Sequence, residues 1–472
     1  SNGHIAWSLT NAQINTTDVV TIEQVSETHY KTADGPQPFE NEIEIIKIKG
    51  SDPVTLNITK TIWGPILEKP FFGKPVALRW LAHDSSCINL EMVKLEQLHT
   101  AKEALACAQR SRVPVLNFVT GDKEGNIGWT YVGYVPKRKG YNGTIPTSFA
   151  DGDAQWLGAL TPEETPTIYN PQNGILWTAN NRVVGYPWYN LVGDGCYYNS
   201  VRAYQIKERL SSCGVATPQK MLDIQLDDEA IYLVRWQKLL LELLRKQPES
   251  KRWQEVQEVV TNWNGHASAD SPAYNTIRSF REEVSRALKK RVFANCFNAS
   301  YHFDLTYFDF EEPIWLIANE KPEYLLGDGY SSWDEELLSH LEQALKPFED
   351  INHNIRWSKA AWGRHNRINI HHPLSRALPV LSFLIDFPND PSSGDMDVPR
   401  VSRPHVGASQ RMVVTPGREE EGIAHMPGGQ SGNPLSPYYR AGHSDWVEGK
   451  PSPYLPTETV STLILTPQEM NL

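Results

Sequence analysis

Pro427-Gly428-Gly429-Gln430-Ser431-Gly432-Asn433-Pro434-Leu435-Ser436-Pro437-Tyr438-Tyr439, with Trp446 and Gly449 just beyond, is the most informative stretch of this chain. Its three glycines, three prolines and two serines exclude a regular helix or strand. Tyr438, Tyr439 and Trp446 nevertheless carry large apolar surfaces that call for burial. Together these features predict a fixed, packed loop next to something functional, not a disordered tail.

The chain has 472 residues, enough for a large core, one elaborated domain or about three ordinary ones. Its 40% hydrophobic and 21% charged content is that of a globular protein, and 33 prolines with 31 glycines predict long ordered loops. A formal net charge of -11 argues against a general nucleic-acid binder, which needs a basic face to displace counterions. The most apolar stretch, Ala377 to Phe387, is interrupted by Pro379, Ser382 and Asp386, so no membrane insertion is expected. Cys87, Cys107, Cys196, Cys213 and Cys296 are widely spaced, odd in number and without a C-x-x-C; they read as small buried side chains.

Short runs rich in Ile, Val and Thr predict strands over Ile5–Thr10, Val19–Val25, Glu42–Ile48 and Val54–Thr59. Leu95, Leu98, Ala101 and Leu105 share one face of a helix expected over Glu91–Arg110. Strands over Val113–Val119 and Asn126–Tyr134 follow, joined by the turn sequence Gly121-Asp122-Lys123-Glu124-Gly125. From Lys137 to Asn199 no period holds, which marks an active-site loop region. Thr217-Pro218 reads as an N-cap with Pro at the first helical position, opening a helix to about Lys246. More helices are expected over Trp253–Trp263, Tyr274–Phe293 and Trp333–Phe348, and strands return over Gln410–Pro416 and Val460–Leu465. The expected divisions are 1–138 and 351–472 for a strand-rich core, 139–202 for the loop region and 203–350 for a helical insertion. The chain opens on Ser1-Asn2-Gly3-His4-Ile5-Ala6-Trp7 without Met, and an apolar strand there calls for a partner strand upstream or in another chain. A processed or truncated portion is the expectation.

Eight segments, in order over more than 400 residues, resemble the penicillin acylase family. Asn2-Gly3-His4-Ile5-Ala6-Trp7-Ser8-Leu9-Thr10-Asn11 is similar to its HN-x-x-IAWG-x-TN segment, with Ser8 in place of Gly. Thr61-Ile62-Trp63-Gly64-Pro65 resembles its T-x-x-GP strand and Leu78-Arg79-Trp80 its LRW. Gly125-Asn126-Ile127 with Gly133 to Arg138 matches the GNI…G-x-x-P-x-R hairpin. Trp177-Thr178-Ala179-Asn180-Asn181 carries the TANN motif, Arg202 begins the R-x-x-x-I segment, and Gly407 to Arg411 resembles GPS-x-R. The run at Pro427 resembles the PGGQSG-x-P-x-SPHY closing loop, with Tyr438 where the pattern has His.

The resemblance implies an α+β fold, the four-layer αββα sandwich of N-terminal-nucleophile hydrolases with a helical insertion. It also implies autoprocessing, a periplasmic or secreted location, and amide hydrolysis through a Ser acyl-enzyme with the serine's own amine as base. The substrate would be a small amide, either a β-lactam side-chain amide or an N-acyl homoserine lactone. A non-catalytic binding protein on the same fold is the rival class. By resemblance the Asn180 side chain and the Asn11 backbone N–H form the oxyanion hole, with Arg202 positioning the site. Ser1 is not assigned as nucleophile, because residues 2–11 match a segment downstream of the family's nucleophile. The chain is therefore expected to lack it, to be inactive alone, and to pair with an α subunit or an upstream segment of its precursor. A structural Ca²⁺ in the family points to Asn15, Thr17 and Asp18, a poor set because only Asp18 is ionised. His371 and His372, near His365, would point to opposite faces of a strand and not share a metal. Asp151 and Asp153 in a Trp-rich loop hint at glycoside chemistry but lack a recognisable acid/nucleophile pair.

Overall fold

A computed structural model describes residues 1–299, 303–305, 308–456, 458–459 and 461–466. The chain divides into two units, one holding Ser1–Ala203 with Phe308 and Asp309, the other the rest of the described chain.

The first unit contains, among other strands, β1 (Ile5–Asn11), β2 (Thr17–Thr21), β3 (Val76–Trp80), β4 (Leu116–Asp122), β5 (Ile127–Val132), β6 (Pro136–Lys139), β7 (Gln155–Ala159) and β8 (Thr167–Tyr169). The principal sheet is antiparallel in the order β1-β4-β5-β8. β2 pairs antiparallel with β3 and parallel with Thr147–Ser148, while β6 pairs with β7. Alternation gives the principal sheet two apolar faces. Ile5, Phe118 and Val132 pack on helix α1 (Ala101–Arg110) through Ala104, Leu105 and Ala108. Trp129 and Tyr131 face the other way, onto Ala12, Ile14, Val184 and Val192. At Gly128 a Cβ would lie 2.5 Å from Leu105 Cδ1, so glycine there lets α1 approach without displacing the Leu105 side chain.

The helix expected over Glu91–Arg110 is broken. Glu91–Gln97 is 3₁₀, and α1 starts afresh because Thr100 and Glu103 form a reciprocal capping box. Asp122 ties the helix to the β4–β5 turn: its carboxylate accepts from Ala101 N and Asn126 N, both at 2.9 Å. Burial would raise the Asp122 pKa, yet these amides outweigh it and hold the carboxyl below its usual range.

β1 is an edge strand of its sheet. His4 O accepts from Lys123 N, which sets the parity of the ladder: even-numbered residues bond β4, odd-numbered ones present N–H and C=O to the outer edge. The outer groups of Ile5 are satisfied locally, its N–H by Asn2 Oδ1 and its carbonyl by Asn2 N and Ser1 Oγ.

The second unit is mainly helical. Val234–Arg245, Lys251–Thr261, Pro272–Val292, Glu311–Glu320 and Trp333–Leu345 enclose one large apolar cluster that includes Trp236, Tyr274, Ile277, Phe280, Leu337 and Leu341. Ser250, Ser271 and Ser332 each cap a helix through a side-chain oxygen, and Pro272 takes the first position of the longest helix. The expected helix from Thr217 to Lys246 is two helices, Pro218–Gln225 and Val234–Arg245. Between them the chain extends so that Ala230 N can reach Gly265 O and Glu229 can bridge to His266. The strand expected over Gln410–Pro416 is only Arg411–Val413, paired with Ile423–His425. Residues 461–465 form no strand, and Val460 lies outside the described residues.

The loop at Pro427–Tyr439 is irregular and packed, as its composition requires. Gly428 lies against the Phe387 ring, Tyr439 OH donates to Ile385 O at 2.5 Å, and Trp446 Nε1 donates to Ala408 O at 2.8 Å. Tyr438 departs from expectation: it is 62% exposed, because its backbone turns in toward Gly429 and its ring turns out.

Candidate active site

Asn180, Asn11 and Arg202, drawn from three separate motifs, meet at the end of β1. Asn180 sits at φ 65, a left-handed conformation that asparagine tolerates better than most residues. That turn sends its side chain back to the strand, where Nδ2 donates to Asn11 O at 3.2 Å and to Thr10 Oγ1 at 3.1 Å. Arg202 lies behind the amide, its Nη2 donating to Asn180 Oδ1 at 2.9 Å. Arg202 is itself buried, with its guanidinium 4.8 Å from the centroid of the Tyr198 ring. Tyr198 N also donates to Asn180 O, closing the loop around the site. Asn181 is structural: its Oδ1 accepts from Ala179 N and its Nδ2 donates to Arg182 O.

The arrangement favours stabilising negative charge. Asn11 is odd-numbered in β1, so its N–H faces the same outer edge as the carbonyl that Asn180 meets. Arg202 draws electron density from the Asn180 carbonyl and thereby strengthens its amide as a donor. Sequence reading missed two residues of this set. Thr10 stands in the same TN pair as Asn11, and its hydroxyl is an acceptor for Asn180. Asn117 is fully buried in β4; its Nδ2 donates to Asn11 O at 3.1 Å while its Oδ1 accepts from Trp129 Nε1 at 3.0 Å. An amide in the middle of an apolar strand was the available signal. A cleft of about 420 Å³ opens beside Asn11, with a mostly apolar lining that includes Trp80, Leu81, Ile88, Val113 and Leu116.

Ser1 stands at the other end of β1, where its Oγ donates to Ile5 O. Six strand steps separate Ile5 from Asn11, about 20 Å.

Asn15, Thr17 and Asp18 are brought together, but as a closed hydrogen-bonded set. Asp18 Oδ2 accepts from Arg138 Nε at 2.9 Å, from Tyr141 OH at 2.7 Å and from Trp156 Nε1. Asp18 Oδ1 faces Asn15 Nδ2 at 3.4 Å. Asn15 Oδ1 accepts from Thr17 N, and Asn15 O from Arg138 Nη2, each at 3.0 Å. Calcium takes about six to eight oxygen ligands; here the oxygens already hold N–H and O–H donors, and the donor set does not fit that ion. Among the described residues no group of three or more His, Cys, Asp or Glu is placed to hold a metal. His371 Nδ1 instead meets Asp386 Oδ2 at 2.6 Å, His372 caps the Pro373–Ala377 helix, and His365 Nε2 meets Lys359 O. Asp151 pairs with the exposed Lys31.

Residues 1–460 match the family described as penicillin amidase. The chain is 25% identical to a penicillin acylase 2 proenzyme of Pseudomonas sp. strain SE83, over 99% of this chain and 61% of that protein. It is 26% identical to the acyl-homoserine lactone acylase QuiP of Pseudomonas aeruginosa, over 95% of this chain and 59% of that protein. It thus spans about three fifths of the length of these curated relatives. A thermostable penicillin G acylase from Alcaligenes faecalis has the same mixed α+β fold, with a TM-score of 0.65 at 17% identity over 99% of this chain and 90% of that one. The match along residues 1–460 makes this chain a member of the penicillin amidase family of N-terminal-nucleophile hydrolases.

Proposed function

We propose that this chain supplies the oxyanion-stabilising half of an amidohydrolase that cleaves the amide of a small N-acyl substrate through a Ser acyl-enzyme. The observation that carries this reading is the convergence of Asn180 and Arg202 on Asn11, which itself lines an apolar cleft. As the substrate carbonyl becomes tetrahedral, its oxygen gathers charge between the Asn11 N–H and the Asn180 amide. A full oxyanion is a stronger acceptor than the Thr10 hydroxyl, so one Asn180 N–H transfers to it while the other keeps the Asn11 carbonyl. The cleft takes the acyl group, and its apolar walls suit an alkyl or aryl chain. The nucleophile lies outside this chain, because Ser1 is held at the far end of β1; the chain alone is inactive. The strand that brings the nucleophile belongs to an α subunit or upstream segment, and the layered core is the αββα sandwich. The complete protein is exported to the periplasm or secreted, which fractionation of the source cells tests.

The decisive experiment presents the full-length, autoprocessed enzyme with N-acyl homoserine lactones of graded chain length and with acylated β-lactams. Release of the free acid from either class supports the reading. Binding of these compounds without turnover favours a non-catalytic binding protein, and turnover of glycosides with no amide cleavage overturns the reading.

A further inference from the structure

We propose that the guanidinium of Arg138 is the resident cation of the Asn15–Asp18 segment, and that this clip fixes the turn behind Asn11 without a metal ion. The proposal does not depend on the reaction proposed above. Asp18 and Arg138 are both enclosed, with side chains 3% and 2% exposed. A carboxylate so placed needs compensating positive charge, and Arg138 Nε provides it at 2.9 Å. Tyr141 and Trp156 complete the shell from the loop after β6 and from β7. Burial and the facing carboxylate hold the Tyr141 phenol well above its usual range, so it stays a donor.

The clip has a job beyond neutralising Asp18. Arg138 Nη2 grips Asn15 O, Asn15 Nδ2 grips Gly143 O, and Asn15 N donates to Val192 O. Gly195 N donates to Gln13 O, and a side chain at Gly195 would strike Ile14 O at 2.3 Å. The 12–16 turn is therefore clamped between β6 and the 192–195 segment, four residues after Asn11 and a dozen after Asn180. Arg138 also has a buried Nη1 with no protein partner, so its positive charge is not fully spent on Asp18. A divalent ion entering this set would displace three hydrogen-bond donors and then face an adjacent guanidinium. Its gain, a single carboxylate, is too small to offset that.

The test uses the purified chain, together with its partner segment where that is needed for solubility. After dialysis against EGTA, elemental analysis should find far less than one calcium per chain. The thermal midpoint in millimolar CaCl2 should match that in EGTA within about 1 °C. Arg138→Met should lower the midpoint by roughly 10 °C, because it leaves a buried carboxylate unpaired. The double variant Arg138→Met with Asp18→Asn should recover a large part of that loss. Near-stoichiometric calcium surviving dialysis overturns the proposal, as does a rise of several degrees with CaCl2 but not MgCl2. Wild-type protein alone decides these two outcomes if the variants fail to fold. An Arg138→Met midpoint equal to wild type also overturns it.

Discussion

Around Trp236 the second unit buries a continuous apolar cluster built from five helices, and its charged residues are placed as pairs within it. Arg281 meets Glu311 at 2.7 Å, and Arg278 meets Asp395, whose Oδ2 also accepts from Tyr274 OH at 2.7 Å. Around Asn11 the first unit divides its apolar residues into several small clusters. The segments carrying Asn11, Asn15 and Asn180 are joined mainly by amides, a guanidinium and backbone carbonyls. Packing is tolerant of small shifts, whereas a hydrogen-bonded network fixes angles. The difference suggests that stability is concentrated in the helical unit and geometry in the sheet unit.

The strongest challenge to this contrast is Trp236→Ala. Trp236 is fully buried, its ring 5.3 Å from Trp315 and 6.2 Å from Phe280, and its Nε1 donates to Glu311. Truncation should cost the helical unit about 3–5 kcal/mol, read as a lower urea midpoint. A cost below about 1 kcal/mol would show that the cluster is less decisive than its burial implies. In the sheet unit, Asn180→Ala in the complete enzyme should lower kcat by about 10²–10³-fold with a smaller change in KM. Its urea midpoint should stay near wild type. Near-normal kcat would remove Asn180 from the chemistry.

Acid should separate the units next. In the helical unit, burial holds the His340 pKa below 6.5 despite the adjacent Glu336. The unfolded chain therefore takes up that proton first, and stability falls as pH drops below about 6.5. Burial would raise the Glu336 pKa, but Arg291, Gly327 N and His340 outweigh it and hold it low. Its contribution is present above the ordinary Glu pKa, about 4.3, and is lost as pH falls through the lower folded value. Urea midpoints of the helical unit between pH 7 and about pH 3 should show both losses, the second only below about pH 4.3, and His340→Gln should remove the earlier one. The smallest effect belongs to the exposed Lys31–Asp151 pair, 2.7 Å apart with side chains 46% and 62% exposed. Lys31→Ala should leave the urea midpoint essentially at the wild-type value, a control for the buried Arg138 pair.

Much of the molecule could be read from the chain, and the failures share a cause. Local patterns located β1, the β4–β5 hairpin and the longest helix within a few residues, because each is specified by its own alternation, turn or cap. Breaks came where a distant segment imposed itself, as when Gly265 drew Ala230 out of helix. The candidate site residues could be named for the same reason as the family, because Asn11, Asn180 and Arg202 sit in recognisable motifs, and the fold brings the three together. Asn117 and Arg138 sat in sequence segments that had been noticed, yet their roles depend on partners 106 and 120 residues away. Spacing alone does not encode such contacts.

The parity of β1 has a consequence for amide exchange with solvent. Ser8 and Thr10 donate into the ladder with β4, whereas Trp7, Leu9 and Asn11 point their N–H groups to the outer edge. Deuterium should therefore label the strand in alternation, fast at the odd positions and slow at the even ones. The alternation is a barcode for the register: a one-residue slip would invert it. A segment docking along the edge as a new strand would erase it, slowing the odd positions to match their neighbours.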